Sequence, residues 1–161
     1  MLAVGLLLIA VAASADQAGV DARLPATVME DQFGQQHQLG DCRSLILVAP
    51  DRDSSELVQS VLTDKDHGLL ADKTLCYVAD ISGMPALITR MFALPAMRDY
   101  GYPVILAREP DTLSTLPRRP AQVTVIDMNA GEIERIRFVD NAEALRPILQ
   151  TRSADGSSGG Q

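Results

Sequence analysis

Two short segments, Ser44–Ala49 and Thr74–Asp80, have an unbroken apolar interior and contain neither glycine nor proline. Segments of this length and composition are typical of parallel strands that are covered on both faces. Turn signals with Gly34 and Gly131 lie between pairs of other strand-like segments and predict two β-hairpins. The remaining predicted strands are Ala26–Glu30, Gln36–Leu39, Pro103–Ala107, Gln122–Met128 and Glu132–Phe138.

Helical signals alternate with these strands. Asp53 followed three residues later by Glu56 is a capping-box arrangement, which predicts the start of a helix that ends near the Asp-rich turn at residues 64–68. Asp111–Leu116 predicts one or two helical turns. Asn141 predicts the start of a final helix, which Pro147 should keep short or bent.

A stripe of large apolar side chains predicts a further helix after the second apolar strand. The stripe recurs at the spacing of one helix face, and Pro95 must end or kink this helix. Thioether sulfur is a soft ligand for Cu(I), so the methionines at positions 84, 91, 97 and 128 also permit a copper interpretation. Because the spacing coincides with the apolar stripe, we expect packing in the core instead. The stripe consists of Met84, Leu87, Ile88, Met91 and Phe92.

The two ends of the chain differ in composition from the segment between them. Leu2–Ala13 is an apolar run too short to cross a bilayer, and Ala13-Ser14-Ala15 supplies the small residues of a cleavage site. Residues 1–15 are therefore predicted to be a signal peptide, with a buried N-terminal helix as the alternative. Residues 16–23 follow as a linker, 24–150 as the folded domain, and 151–161 as a Ser/Gly-rich disordered tail.

Composition narrows the possible partners. The chain has 161 residues, of which 47% are hydrophobic, and its 14 Lys+Arg against 21 Asp+Glu give a net charge of −7. Only 4% are aromatic and tryptophan is absent, so we expect no nucleic-acid binding. No second long apolar segment follows the leader, so we expect a secreted, periplasmic protein that does not contact the membrane after cleavage.

The order of elements resembles the thioredoxin-like superfamily, in particular its secreted thiol-disulfide reductase and peroxiredoxin-type members. The resemblance is carried by Leu24-Pro25-Ala26, by the turn Asp31-Gln32-Phe33-Gly34, and by Arg119–Asp127 running into Gly131-Glu132-Ile133. It implies a three-layer α/β/α sandwich with a mixed central sheet and an N-terminal hairpin. In such relatives a proline before the corresponding strand is cis and faces the active site, and Pro120 is the matching position.

The chain differs from that family at the position of the family's reactive cysteines. Redox members carry Cys-x-x-Cys in the first turn of the helix, where the helix N-terminus makes the thiolate reactive. Here residues 51–56 read Asp-Arg-Asp-Ser-Ser-Glu, so the sequence predicts a redox-inactive member. Asp80–Tyr100 also resembles short secreted bacterial proteins that sometimes carry a flavin-dehydrogenase label. The chain has no Gly-rich phosphate loop, and we expect no cofactor.

The two cysteines lie elsewhere. Cys42 precedes the first apolar strand and Cys76 lies within the second. If the strands are aligned by their ends, the cysteines differ by about four residues of register, or roughly 13 Å, whereas a disulfide needs Cα atoms within about 7 Å. An oxidising compartment favours pairing and this geometry opposes it, so we expect Cys76 to be an inert core residue.

Charged residues converge on one edge of the predicted sheet. Asp51, Asp53 and Asp80 follow the carboxyl ends of adjacent strands, with Arg118 and Arg119 facing them before Pro120. One interpretation is a polar recognition site or a weak divalent-cation site. The other is structural and is favoured: Asp53 caps a helix, Asp51 makes the turn, and Arg119 neutralises the cluster.

The leading hypothesis for function is a binding or accessory module without catalytic residues or a bound metal. Its recognition surface would comprise Asp51, Asp53, Ser54, Ser55, Asp80, Arg119 and Pro120. Relatives hold extended peptides against the proline loop, so a polypeptide partner is expected. Two enzyme alternatives remain: an unconventional thiol at Cys42 or Cys76, or a metal-dependent phosphatase using Asp51 and Asp53. The two histidines, His37 and His67, have no ligand spacing between them and are expected to be solvated.

Overall fold

The computed structural model describes residues 22–156. The predicted signal peptide, most of the predicted linker and residues 157–161 lie outside the described residues. Of the part that the structure describes, no helix is long and apolar enough to cross a membrane.

A seven-stranded mixed sheet forms the centre of the fold, in the order β2-β1-β5-β4-β3-β6-β7. β3 and β4 run parallel, as do β4 and β5, whereas β6 and β7 are antiparallel additions on one side and the β1–β2 hairpin lies at the other. The expected mixed sheet with an N-terminal hairpin is confirmed. The strands are β1 (Met29–Asp31), β2 (Gln36–His37), β3 (Leu45–Ala49), β4 (Leu75–Asp80), β5 (Ile105–Ala107), β6 (Val123–Asn129) and β7 (Glu132–Val139).

Helices cover one face of this sheet and shorter segments cover the other. α1 (Arg52–Val61), α2 (Asp64–Ala71) and α5 (Ala142–Gly156) enclose one apolar cluster together with the inward side chains of β3 and β4. The second cluster lies beneath the 3-10 helix Leu39–Asp41 and the turns at residues 111–116. Because both faces are covered, every residue of β3 is buried, as its continuous apolar sequence predicted.

The helix α2 replaces the turn that the sequence predicted at residues 64–68. Thr63 is its N-cap, and the Asp66 carboxylate accepts hydrogen bonds from the Thr63 amide at 2.8 Å and the Thr63 hydroxyl at 2.7 Å. This capping arrangement satisfies donors at the start of the helix. The charged residues expected to form a turn therefore begin a helix.

The N-terminal hairpin is fixed to the body by buried polar groups. Gln32 is 1% exposed; its amide donates to the carbonyl of Tyr102 at 2.8 Å, and its Oε1 accepts from the amide of Val104 at 2.8 Å. His37 was expected to be solvated, but its ring is buried with Nε2 at 2.8 Å from Asp31 Oδ2. The hairpin is the sheet's edge, yet these contacts make it part of the core.

The predicted Met-rich helix is present, but its apolar stripe faces outward. It consists of α3 (Ala86–Ile88), a π-helical turn (Thr89–Ala93) and α4 (Leu94–Arg98). A proline at position 95 has no N–H for the carbonyl one turn earlier, and its ring crowds that carbonyl, which the wider π turn relieves. All five residues of the stripe are exposed, at 36 to 65%, on both sides of the start of this turn, so the expected core packing of the stripe is wrong.

The last helix is longer than the sequence predicted. α5 contains Pro147 and continues to Gly156, into the segment expected to be a disordered tail. Its start is as predicted, since Asn141 Oδ1 accepts from the Ala144 amide at 2.9 Å. Residues 150–155 contain no glycine, and each residue added to an existing helix gains a hydrogen bond without a new nucleation cost.

Candidate functional site

The helix α1 follows the buried strand β3 after a short turn, and a carboxylate caps its N-terminus. Asp51 is the N-cap of α1: its Oδ1 accepts from the Ser54 amide at 2.9 Å and from the Ser54 hydroxyl at 2.8 Å. The capping box therefore pairs Asp51 with Ser54, and the predicted pairing of Asp53 with Glu56 is wrong. The chain turns at Pro50, so the helix starts two residues earlier than expected and Glu56 pairs with Arg52 instead.

The same carboxylate also holds the loop that precedes β6. Asp51 Oδ2 accepts from the backbone amide of Ala121 at 2.6 Å, which joins the start of α1 to this loop. Burial raises the pKa of Asp51, but the hydrogen bonds from Ala121 and Ser54 outweigh it and hold this pKa below its usual value. Asp51 is therefore a charged structural link between two elements.

A second carboxylate holds the other side of that loop. Asp80, at the end of β4, accepts from the Ser82 amide and hydroxyl through Oδ1, at 3.0 and 2.7 Å. Its Oδ2 lies 2.6 Å from Nη1 of Arg118. The Asp80 side chain is 9% exposed and that of Arg118 is 28% exposed, so the ion pair is largely shielded from solvent.

We call residues 117–121 the clamped loop, because three contacts fix it. Besides the links to Asp51 and Asp80, the hydroxyl of Thr124 donates to the carbonyl of Pro117 at 3.0 Å. Ala121 has a φ of 58°, a left-handed conformation that costs free energy in any residue with a Cβ. The described residues contain no cis peptide bond, so Pro120, expected to match a cis proline, is trans.

The structure brings some of the predicted site residues together and separates others. Asp51 and Asp80 both contact the clamped loop, and Ser54 is fully buried and bonded to Asp51. Pro120 is exposed on the loop itself, and the carboxylate of Asp53 is exposed on the first turn of α1.

Two of the predicted residues have partners outside the cluster. Ser55 is half-buried and is a hydrogen-bond partner of the buried Tyr77 hydroxyl. Arg119 lies over the ring of Phe138 on β7, with its guanidinium carbon 4.0 Å from the ring centroid. A cation over an aromatic face is an attractive contact, so the structure gives Arg119 a partner outside the carboxylate cluster.

Sequence reasoning placed Arg118 opposite the carboxylates but misassigned its role, and it missed one further group in this corner. Arg118 makes the ion pair with Asp80, whereas the sequence assigned neutralisation of the cluster to Arg119. The other group is the backbone amide of Ala121, and no side-chain pattern reveals a backbone donor. Because Arg118 and Arg119 are adjacent, only the direction of the chain in the loop decides which one faces the carboxylates.

The geometry leaves little room for the metal and phosphatase interpretations. Each oxygen of Asp51 and of Asp80 accepts at least one hydrogen bond from the protein. Among residues 22–156 no group of three or more His, Cys, Asp or Glu side chains is placed to hold a metal ion. A carboxylate that caps a helix and ties down a loop is also poorly placed to attack a phosphate ester.

The two cysteines form a disulfide, contrary to expectation. Their Cα atoms are 6.0 Å apart and both residues are buried, at 2% and 5% exposure. The predicted register was sound, since Ile46 pairs with Cys76 in the sheet. The error lies before β3: the chain leaves the 3-10 helix at Cys42 and bends into the strand, so the extended rise per residue does not apply there.

Several solved structures have a similar fold. A putative thioredoxin from Neisseria meningitidis is 16% identical with a TM-score of 0.53, over 87% of this chain and 95% of that one. An uncharacterised thioredoxin-like protein from Porphyromonas gingivalis is 14% identical with a TM-score of 0.50, over the same shares. A thio-disulfide isomerase from Thermus thermophilus is 15% identical with a TM-score of 0.50, over 82% and 95%. No protein-family model and no curated protein matches the sequence.

Proposed function

We propose that this chain, whose fold is thioredoxin-like, is a binding module that holds an extended polypeptide at the clamped loop without thiol exchange. The observation that carries the proposal is the fixing of this loop by two carboxylates, Asp51 at the start of α1 and Asp80 at the end of β4. A loop fixed before binding loses less conformational freedom when a partner arrives, which favours recognition.

The sulfur chemistry argues for binding rather than redox catalysis. Disulfide exchange requires a thiolate to reach a sulfur atom, and both sulfurs of the Cys42–Cys76 bridge belong to buried residues. Cys76 also lies four residues before Asp80 on β4, or roughly 13 Å along the strand from the clamped loop. The chain has two cysteines, so the free thiol that an unconventional single-cysteine enzyme needs is occupied by the bridge.

Exposed groups on the clamped loop supply the recognition surface. Pro120 presents a small apolar surface, Arg119 is exposed on the same loop with its guanidinium over Phe138, and the exposed carboxylate of Asp53 is on the first turn of α1. The left-handed conformation of Ala121 is backbone strain, of the kind that is concentrated at functional sites. An extended polypeptide matches this surface, because it presents backbone and side-chain groups in alternation.

We further propose that the protein works outside the cytoplasm, in the periplasm. The leader-like sequence of residues 1–15 and a buried disulfide support this, since structural disulfides persist in oxidising compartments. The N-terminal sequence of the protein recovered from a periplasmic extract should begin at Asp16. Recovery from the cytoplasm with residues 1–15 attached would contradict this assignment.

Binding to short synthetic peptides of random sequence, immobilised as an array, tests the proposed function. Arg119→Ala should weaken the strongest peptide interactions about tenfold, the effect of losing one important interface side chain. Arg118→Ala should weaken them as well, because it releases the loop from Asp80. Arg146→Ala removes an exposed arginine of α5 and is the matched control.

The outcomes of this experiment separate cleanly. Peptide binding that is unchanged by both loop variants, while the variants stay folded, removes the clamped loop as the binding site. No peptide binding by the wild-type chain contradicts the polypeptide proposal. Reduction of a model protein disulfide by the native chain would contradict the absence of thiol exchange.

A further inference from the structure

Five large apolar side chains project into solvent from α3 and the segment around it. We call Met84, Leu87, Ile88, Met91 and Phe92 the apolar ridge; their exposed fractions are 36, 65, 44, 59 and 63%. With roughly 180 Å² for each free side chain of this size, the ridge exposes about 500 Å² of apolar surface, towards the upper end for a monomer. Surfaces of this size commonly mark an interaction site.

Most of the segment that carries the ridge is exposed. Between residues 83 and 98, all of which the structure describes, Thr89 is the one buried residue, and Ala93, Leu94 and Met97 are half-buried. A segment exposed on its outer face and on its flanks stands out from the body of the domain. Such a segment cannot enclose an extended peptide, but it can insert into a fluid apolar phase or into an apolar cavity of a partner.

The charge of this segment is opposite to that of the whole protein. Residues 81–98, which lie between Asp80 and Asp99, contain Arg90 and Arg98 and no acidic residue, within a chain of net charge −7. Arg90 is exposed beside the ridge, whereas the Nε of Arg98 donates to the carbonyl of Gln32 at 3.1 Å. Two facing copies of this ridge would bring like charges together without an acidic group from the segment to neutralise them. A partner whose apolar interior is bordered by negative charge is more complementary to the ridge than a second copy of the chain.

We propose that the apolar ridge inserts into the interface of an anionic lipid bilayer, with Arg90 at the level of the phosphate groups. Protruding Leu, Ile, Met and Phe side chains with arginine at their edge are the composition of an interfacial, non-spanning membrane contact. The sequence had assigned these side chains to the core, so the contact becomes visible only in the structure. The proposal is independent of peptide binding at the clamped loop.

Fluorescence of a single introduced tryptophan tests this contact. The chain has no tryptophan, so Phe92→Trp in the full chain reports on the ridge alone. Phe33→Trp is the matched control, because Phe33 is 53% exposed in the turn of the β1–β2 hairpin. The probes are vesicles of phosphatidylglycerol and vesicles of phosphatidylcholine, each with and without lipids that carry a quenching group on the acyl chain.

With phosphatidylglycerol vesicles, the emission of the F92W variant should shift to shorter wavelength and be quenched by the acyl-chain label. Arg90→Ala in the same background should weaken binding about fivefold, and raised salt should weaken it further. The F33W variant should show neither shift nor quenching, which separates the ridge from any insertion of Leu2–Ala13.

Three results would overturn the proposal. The first is an unchanged F92W emission with every vesicle. The second is an equal response of the F33W variant. The third is a shift that appears without lipid and rises with protein concentration, which would assign the ridge to a second copy of the chain. Loss of peptide binding in clamped-loop variants with intact vesicle binding would leave the ridge assignment standing.

Discussion

Removal of the Cys42–Cys76 cross-link should lower the free energy of unfolding by about 4 kcal/mol. The bridge closes a loop between residues 34 positions apart, and the loop-closure entropy of an unfolded loop of this size corresponds to about 3.5–4 kcal/mol. The bridge is buried, so reductant must act on the unfolded chain, which is then refolded with the reductant present. Urea unfolding compares this reduced protein with the oxidised one.

The expected change is a shift of the urea midpoint by roughly 2 M, given a denaturant slope near 2 kcal/mol per M. The free energy of unfolding of the Cys42→Ala, Cys76→Ala double variant should equal that of the reduced protein, apart from the cost of two small cavities. Reductant should not change the stability of this double variant. A difference below about 1 kcal/mol, or rapid alkylation of either cysteine in the native oxidised protein, would refute the reasoning.

Three further predictions concern side chains in the core and at the clamped loop. Asp51→Ala should cost about 2–3 kcal/mol at neutral pH, from the lost helix cap and the lost bond to Ala121. The pKa of Asp51 is lower in the folded protein than in the unfolded chain, where it is about 4. The stabilisation is therefore present above about pH 4 and is lost as pH falls through the folded pKa. Urea unfolding of the wild type and of Asp51→Ala at several pH values measures this loss. Gln32→Leu leaves the amide of Val104 unpaired and should cost roughly 2–4 kcal/mol by urea unfolding, against little for the exposed Gln35→Leu. Burial raises the pKa of Tyr102 to about 12, so stability should fall as pH rises from about 10 to 12, and less steeply in Tyr102→Phe.

Each of these predictions has a result that contradicts it. An Asp51→Ala variant that remains as stable as the wild type at neutral pH would remove the carboxylate as a structural link. A Gln32→Leu variant that unfolds at the wild-type midpoint would show that its amide is dispensable. Identical pH profiles for the wild type and Tyr102→Phe would contradict the assignment of the raised pKa.

The central sheet was predictable because its strands carry a strong local signal. β3 and β4 are continuous apolar segments, and a strand covered on both faces requires such a segment. The hairpin turns were predictable for a similar reason, since Gly34 and Gly131 both adopt positive φ, at 83° and 84°. These features depend on a few neighbouring residues and on no distant contact.

The details of the candidate site depend on chain direction between elements, which no local pattern specifies. The disulfide was missed because the chain bends at Ser44, between Cys42 and the start of β3. The helix cap was placed two residues late because both Asp51 and Asp53 have a suitable partner three residues on. In the clamped loop, the choice between Arg118 and Arg119 depends on one peptide's orientation.

The π-helical turn at Thr89–Ala93 has a consequence for how this surface can change during evolution. Such a turn contains one residue more than a regular turn, and one residue corresponds to about 100° of rotation about a helix axis. Loss of a single codon within it would shorten the turn to regular length, although Pro95 would still donate no hydrogen bond, and would rotate α3 relative to α4. The outward hydrophobic side chains would then be redirected while the sheet stayed unchanged, so descendants of one gene can gain or lose this surface in a single mutational step.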